Sequence, residues 1–148
     1  MDSGAHIRMV LWKAYKAVEA VDRRVIAESG LGLSDFAVLD VLRRKGPQSV
    51  NAIGRDVLLT SGSITSAVGR LERRRLVTRR RDTDDARIFW IDLTAAGRRL
   101  IEEASARHAT RLEAVAQALD PKERADLVRL LKKLGRQAER WPQETSTG

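Results

Sequence analysis

The apolar period of this chain changes from helical to alternating and back again, and no other feature restricts its fold as much. Up to about Arg74 the apolar residues recur every three or four positions, and around Phe89–Leu93 they alternate. From Thr94 onward the helical period returns. Within the first stretch, Ser34 is placed to cap a helix running to about Arg44, with Phe36, Val38, Leu39 and Leu42 inward, and Lys45-Gly46-Pro47 ends it. Ser49 opens a second short helix with Val50, Ile53 and Val57 on its inner face. After Leu58-Leu59, Thr60 or Ser61 caps a third helix reaching about Arg74, with Ile64, Ala67, Val68 and Leu71 at i, i+3, i+4 and i+7. Phe89, Ile91 and Leu93 then alternate with Ile88, Trp90 and Asp92 beyond a polar tip at Asp82–Ala86, which predicts a two-stranded hairpin. The pattern leaves Arg79–Arg81 open as strand or solvated loop.

Both flanks are long amphipathic helices. Ile7, Leu11, Ala14, Val18, Val21 and Val25 form a heptad seam that Glu28-Ser29-Gly30 stops, with Gly30 as C-terminal cap. Thr94 caps a helix to about Leu119. Asp120-Pro121-Lys122-Glu123 then combines an Asp cap, a proline at the first helical position and a glutamate three residues after the cap. The helix it starts carries Leu127, Leu130, Leu131, Leu134 and Ala138 on one face. The expected fold is therefore mainly α: a winged helix-turn-helix with a small β-hairpin wing and N- and C-terminal dimerisation helices. Its expected divisions are 1–30 (N-terminal dimerisation helix), 31–95 (DNA-binding lobe), 96–141 (C-terminal dimerisation helices) and 142–148 (a disordered polar tail, mainly Gln143–Gly148).

Charge points to the partner. The chain carries a net +8, and residues 61–87 hold eight arginines against four acids, a net +4. Clustered cations of this kind suit phosphate neutralisation with counterion release. The third helix buries its apolar face and presents Ser61, Ser63, Thr65, Ser66, Gly69 and Arg70. Short hydroxyl side chains let a helix lie deep in a major groove, and Gly62 in its first turn permits close backbone approach to a phosphate. The DNA-contacting set expected on these grounds is Ser61, Gly62, Ser63, Thr65, Ser66, Arg70, Arg73, Arg80, Arg81, Asp85 and Arg87. Arg87, at the hairpin tip, is the residue expected to enter a groove, and Asp85 can orient its guanidinium through a bidentate bond.

Leu31-Gly-Leu-Ser-Asp-Phe-Ala-Val-Leu39, Leu59-Thr-Ser-Gly-Ser-Ile-Thr65 with Arg70-Leu-Glu72, and Asp82-Thr-Asp-Asp-Ala-Arg87 with Leu93-Thr-Ala-Ala-Gly97 resemble the MarR family in order and spacing over about residues 7–140. The resemblance implies a homodimer whose terminal helices interlock, a recognition helix near Ser61–Arg74 and a wing near Val77–Leu93, with the wing Asp and Arg on Asp85 and Arg87. This chain departs from the usual wing at Thr83, where proline is common, and at Ala86, often basic. Both changes leave the wing in place and bear on the rigidity of its turn. The resemblance further implies a small aromatic or anionic effector, phenolic or carboxylate. Trp12, Tyr15, Phe36 and His108 are its candidate lining, against the plainer reading of core or interface packing. The Leu58-to-Ser63 run resembles members that answer to quinone-type or phenolic compounds.

Other classes fare worse. The chain has no cysteine and two histidines without metal-ligand spacing, so neither a metal site nor a cofactor is expected. Glu102-Glu103 and Asp84-Asp85 are sequence neighbours rather than convergent carboxylates. Neither a phosphate loop nor a nucleophile elbow occurs, which argues against an enzyme. No signal-like leader or apolar run of membrane length is present, so a cytoplasmic protein without a membrane partner is expected. His6 has no evident partner. The reading is a cytoplasmic, sequence-specific regulator of transcription on a pseudo-palindromic duplex operator, with repression the favoured sign. The alternative is an architectural or nucleoid DNA binder with little sequence preference.

Overall fold

A computed structural model of the chain describes residues 2–57 and 61–141. The element order is α1 (Gly4–Ala27), α2 (Leu33–Lys45), β1 (Gln48–Ser49), α3 (Val50–Val57), α4 (Ser61–Arg73), β2 (Val77–Arg81), β3 (Phe89–Leu93), α5 (Ala95–Ala116) and α6 (Pro121–Glu139). The chain divides between Arg111 and Leu112 into two compact units.

Local chemistry sets most of the boundaries in the first unit. Ser3 caps α1 by accepting the His6 N–H at 3.2 Å, Ser49 accepts from the Ala52 N–H at the head of α3, and Thr94 accepts from the Gly97 N–H at the head of α5. Gly46, at φ +77°, closes α2. Helix α1 ends on a Glu28 cap, so Gly30, at φ +74°, lies in the turn beyond it rather than at the expected cap position. Two further details differ from the sequence reading. Helix α2 begins at Leu33 on a Gly32 cap, so Ser34 lies inside its first turn rather than ahead of it. The reason is Leu33, which packs against the core and is drawn into the helix. His6 also has a partner, since its Nδ1 lies 2.8 Å from an Asp2 carboxylate oxygen one turn back. Ser61 is the first residue of α4, and Thr60, the other residue expected as its cap, lies outside the described residues, as does the polar tail at 142–148.

The hairpin forms with Arg79–Arg81 in strand. β2 pairs antiparallel with β3 from Val77↔Leu93 to Arg81↔Phe89. A two-residue strand adds to the other edge, with Gln48↔Ile91 and Ser49↔Trp90, giving the order β1-β3-β2. Beneath this sheet the core gathers Leu39 and Leu42 of α2, Ile53 of α3, Ile64, Val68 and Leu71 of α4, Ile91 of β3 and Ile101 of α5, all with essentially no exposed surface. Removing each such Leu or Ile from water contributes about 1.5–3 kcal/mol. Gly97 is buried where α5 crosses the start of β2, and a Cβ there would stand 1.9 Å from the Leu76 carbonyl oxygen.

The seam on α1 is different. Val25 is buried and Val21 half-buried, but Ile7, Leu11 and Val18 remain exposed. In the second unit the box at the head of α6 is complete, with the Asp120 carboxylate accepting the Glu123 N–H and the Glu123 carboxylate accepting the Asp120 N–H, both at 2.9 Å. Arg124 donates to Glu113 at 2.6 Å and to the Leu119 carbonyl at 3.1 Å, bracing the turn between α5 and α6. Leu127, Leu130, Leu131 and Leu134 lie exposed on α6. No described helix is long and apolar enough to cross a membrane.

Candidate nucleic-acid interface

Helix α4 owes its orientation to Ile64, Ala67, Val68 and Leu71, all buried. Their burial turns Gly62, Ser63, Thr65 and Ser66 to solvent along the opposite face. Ser34, from the first turn of α2, joins Gly62, Ser63, Ser66 and Arg70 along a shallow cleft. Short hydroxyls, an open glycine and a helix N-terminus make this surface narrow enough for a groove and rich in groups that bond phosphate or base edges.

The arginines divide by what they touch. Arg70 is held by Asp35, which accepts from its Nη2 at 2.8 Å and its Nε at 3.2 Å. Asp35 is 7% exposed, the one buried charged residue among those described. That hydrogen bond and the adjacent negative charge raise the Arg70 pKa further above its ordinary value. Arg70 thus ties α4 to α2 with its fork while its side chain remains partly exposed along the cleft. Arg74 donates to the Gly30 carbonyl at 3.1 Å, and Arg75 takes φ +57° in the turn leaving α4. Arg79 pairs with Glu72 at 3.2 Å, and the guanidiniums of Arg79 and Arg81 lie 5.5 and 5.1 Å from the Phe89 ring centroid. Arg73 and Arg80 are exposed.

At the wing tip Arg87 has 90% of its side chain exposed. Asp85 accepts from its Nε and Nη2, each at 3.1 Å, and from its backbone N–H at 3.0 Å. The bidentate pair lowers the Asp85 pKa and raises that of Arg87. The turn itself is built on Asp82, whose carboxylate accepts the backbone N–H groups of Asp84 and Asp85 at 3.0 Å and the Trp90 indole N–H at 2.7 Å. These bonds, that of Trp90 foremost, hold the Asp82 carboxyl below the ordinary aspartate range. Asp35 and Asp82 were not singled out by sequence reasoning. The available signal for Asp35 was an acid directly before the buried run that starts at Phe36, a position that calls for a cation partner.

The four candidate effector residues separate. Phe36 and His108 meet edge to face with ring centroids 5.2 Å apart, and His108 Nε2 lies 2.7 Å from an Asp22 carboxylate oxygen. Trp12 and Tyr15 stand ten and seven residues before Asp22, about 15 and 10 Å along α1. Both are exposed, and the Tyr15 hydroxyl lies 3.4 Å from a Glu19 carboxylate oxygen on its own helix.

Comparison with known proteins gives a consistent result. A model described as the MarR family matches residues 29–88. The uncharacterized HTH-type transcriptional regulator YkoM of Bacillus subtilis (strain 168) is 33% identical over 135 residues, 91% of this chain and 88% of its own length. The HTH-type transcriptional regulator MhqR of the same strain is 32% identical over 133 residues, covering 90% of this chain and 92% of its own. A solved structure of Bordetella bronchiseptica BpsR, concerned with regulation of its DNA binding by 6-hydroxynicotinic acid, superimposes with a TM-score of 0.79 at 28% identity, over 87% of this chain and 98% of that one.

Proposed function

The chain belongs to the MarR family of winged helix-turn-helix, DNA-binding transcriptional regulators, and from that premise we propose that it acts in the cytoplasm as a homodimeric repressor on a pseudo-palindromic duplex operator. Two observations carry this reading: at the wing tip a largely exposed Arg87 oriented by Asp85, and on α4 a solvent face of hydroxyls and glycine. Helix α4 reads base edges in the major groove, Arg87 enters the adjoining minor groove, and Arg73, Arg80 and Arg81 meet phosphates. Arg70 contributes to that face only as far as its bond to Asp35 allows.

Dimerisation is the expected use of two unpartnered seams, one on α1 and one on α6. Each exposes large aliphatic residues at helical spacing, a pattern that soluble helices rarely leave open to water. Residues 1–30 and 96–141 then serve as dimerisation segments around the 31–95 lobe. Two α4 helices held one turn of DNA apart bind a promoter and exclude polymerase. The chemistry resides in binding, so no catalytic residue is assigned.

Footprinting on genomic fragments selected by the protein tests the reading. A protected pseudo-palindrome with half-sites about 10 base pairs apart is expected. A continuous, sequence-indifferent footprint would instead indicate an architectural DNA binder. Arg87→Ala should weaken binding about 10-fold or more and reduce the salt slope by about 1. Unchanged affinity and slope in that variant refute the wing contact.

Release by a small hydroxylated aromatic acid is the accompanying proposal, supported by BpsR and its 6-hydroxynicotinic acid. The Phe36–His108 pair with Asp22 is the better-assembled part of the candidate pocket. An effector acts only through a difference in its affinity for the DNA-competent and incompetent forms. Trp12→Ala should blunt the response, and a folded variant with full response removes Trp12 from the pocket.

A further inference from the structure

The sequence of the wing turn has Thr83 where the family resemblance anticipates proline, so a ring-locked backbone is not what stiffens it. We infer that Asp82 and Trp90 are positioning residues for DNA binding: the Trp90 indole pins the Asp82 carboxylate, and that carboxylate builds the turn that aims Arg87. The inference rests on the proposal that Arg87 contacts DNA.

The bonds form a continuous chain. Trp90 lies in β3 directly opposite Arg80 of β2, and its Nε1–H donates to Asp82 Oδ1 at 2.7 Å. The other oxygen of the same carboxylate accepts the N–H groups of Asp84 and Asp85. Below it the Asp82 N–H donates to the Ile88 carbonyl at 2.9 Å, and the Ile88 N–H to the Asp85 carbonyl at 3.0 Å. With Asp85 fixed at both its N–H and its carbonyl, its carboxylate is set to take the Arg87 fork. Each carboxylate oxygen of Asp82 therefore has its own donors, and the half-buried indole finds its acceptor. Without the indole the turn keeps its sequence but loses the group that orients its central acceptor. Arg87 would then sample more conformations, and ordering it would be charged against binding. The resemblance assigns the wing Asp and Arg to Asp85 and Arg87. Neither Asp82 nor Trp90 is expected to touch DNA.

Trp90→Phe keeps an aromatic ring at the position and removes the donor together with part of the ring's bulk. Its expected effect is a loss of about 3- to 10-fold in affinity for the duplex recovered by genomic selection, measured where circular dichroism shows the variant fully folded. In an Arg87→Ala background the same change should have no effect, because there is no longer a side chain to aim. In the free protein, amide hydrogen exchange at Asp84 and Asp85 should quicken in Trp90→Phe and in Asp82→Ala. Equal losses from Trp90→Phe in both backgrounds would overturn the inference, as would unaltered exchange at Asp84 and Asp85. If Arg87→Ala costs affinity and Trp90→Phe does not, positioning fails while the wing contact stands. If Arg87→Ala is itself silent, the wing contact fails and takes the inference with it.

Discussion

Replacing Gly97 by alanine tests the joint between the wing and α5. The new Cβ would stand 1.9 Å from the Leu76 carbonyl oxygen, 2.9 Å from its carbon and 3.3 Å from its Cα. All three are main-chain atoms that cannot swing aside, and an unstrained carbon–oxygen contact needs about 3.3 Å. A gap of about 1.4 Å must therefore open between α5 and the start of β2. Opening it stretches two bonds that fix the joint: the Thr94 N–H to the Leu76 carbonyl at 3.0 Å, and the Thr94 hydroxyl to the Arg75 carbonyl at 2.8 Å. Their loss costs about 1 kcal/mol each, and the crowding itself about 1–3 kcal/mol. Against this, alanine is favoured over glycine within a helix by about 0.5–1 kcal/mol. The net expectation is a destabilisation of about 2–4 kcal/mol. Urea unfolding at fixed protomer concentration measures it, since the stability of an oligomer depends on concentration. Gly54→Ala in α3 is the control, because its Cβ meets Ile64 Cγ1 at 3.8 Å, an ordinary contact. That variant should gain about 0.5–1 kcal/mol. A Gly97→Ala protein as stable as its parent would refute the argument from close approach.

Two further outcomes are expected. Arg70→Ala strands the buried Asp35 carboxylate and should cost about 2–4 kcal/mol, whereas Asp35→Ala leaves a partly exposed guanidinium free to hydrate and should cost about 1–2 kcal/mol; equal losses in urea unfolding would contradict the burial asymmetry. The carboxyls of Asp82 and Asp85 both lie below their ordinary value of 3.8 in the folded wing, so their contribution is present above pH 3.8 and lost only as pH falls through the lower folded values. Amide shifts of Asp84 and Asp85 should therefore stay flat from pH 7 to about 5 and move only in stronger acid, and a midpoint above 3.8 would show that the turn bonds do not favour the charged forms.

Much of the architecture was legible because its signals are local. The head of α6 is spelled in four consecutive residues, Asp120 to Glu123, whose groups reach one another within a single turn. The inner face of α4 is a matter of spacing, since any helix carrying Ile64, Ala67, Val68 and Leu71 aligns them on one stripe. The Asp85–Arg87 pair is likewise readable, two residues apart in a tight turn. β1 had no such signal: Gln48 and Ser49 are a strand only because β3 presents its free edge there. Arg70 read as an outward cation because spacing says nothing of Asp35, thirty-five positions away. Trp90 read as one member of an alternating pair, and pattern does not reveal that its indole would find Asp82 across the turn.

By itself, then, the sequence determined the order of helices and hairpin, the face each turns inward and the clustering of cations near one helix and one turn. Periodicity, capping and charge act over a few residues, and a few residues are enough to read them. Tertiary structure decided which cations are committed to a distant partner and which remain exposed, and which apolar stripes the chain covers with itself. Those outcomes depend on groups far apart in sequence arriving at one place, as His108 does at Asp22 across eighty-six positions. Arg87 lies where the two kinds of determination meet: its local pair with Asp85 was written in the chain, and the turn that carries the pair was completed by Trp90 from the neighbouring strand.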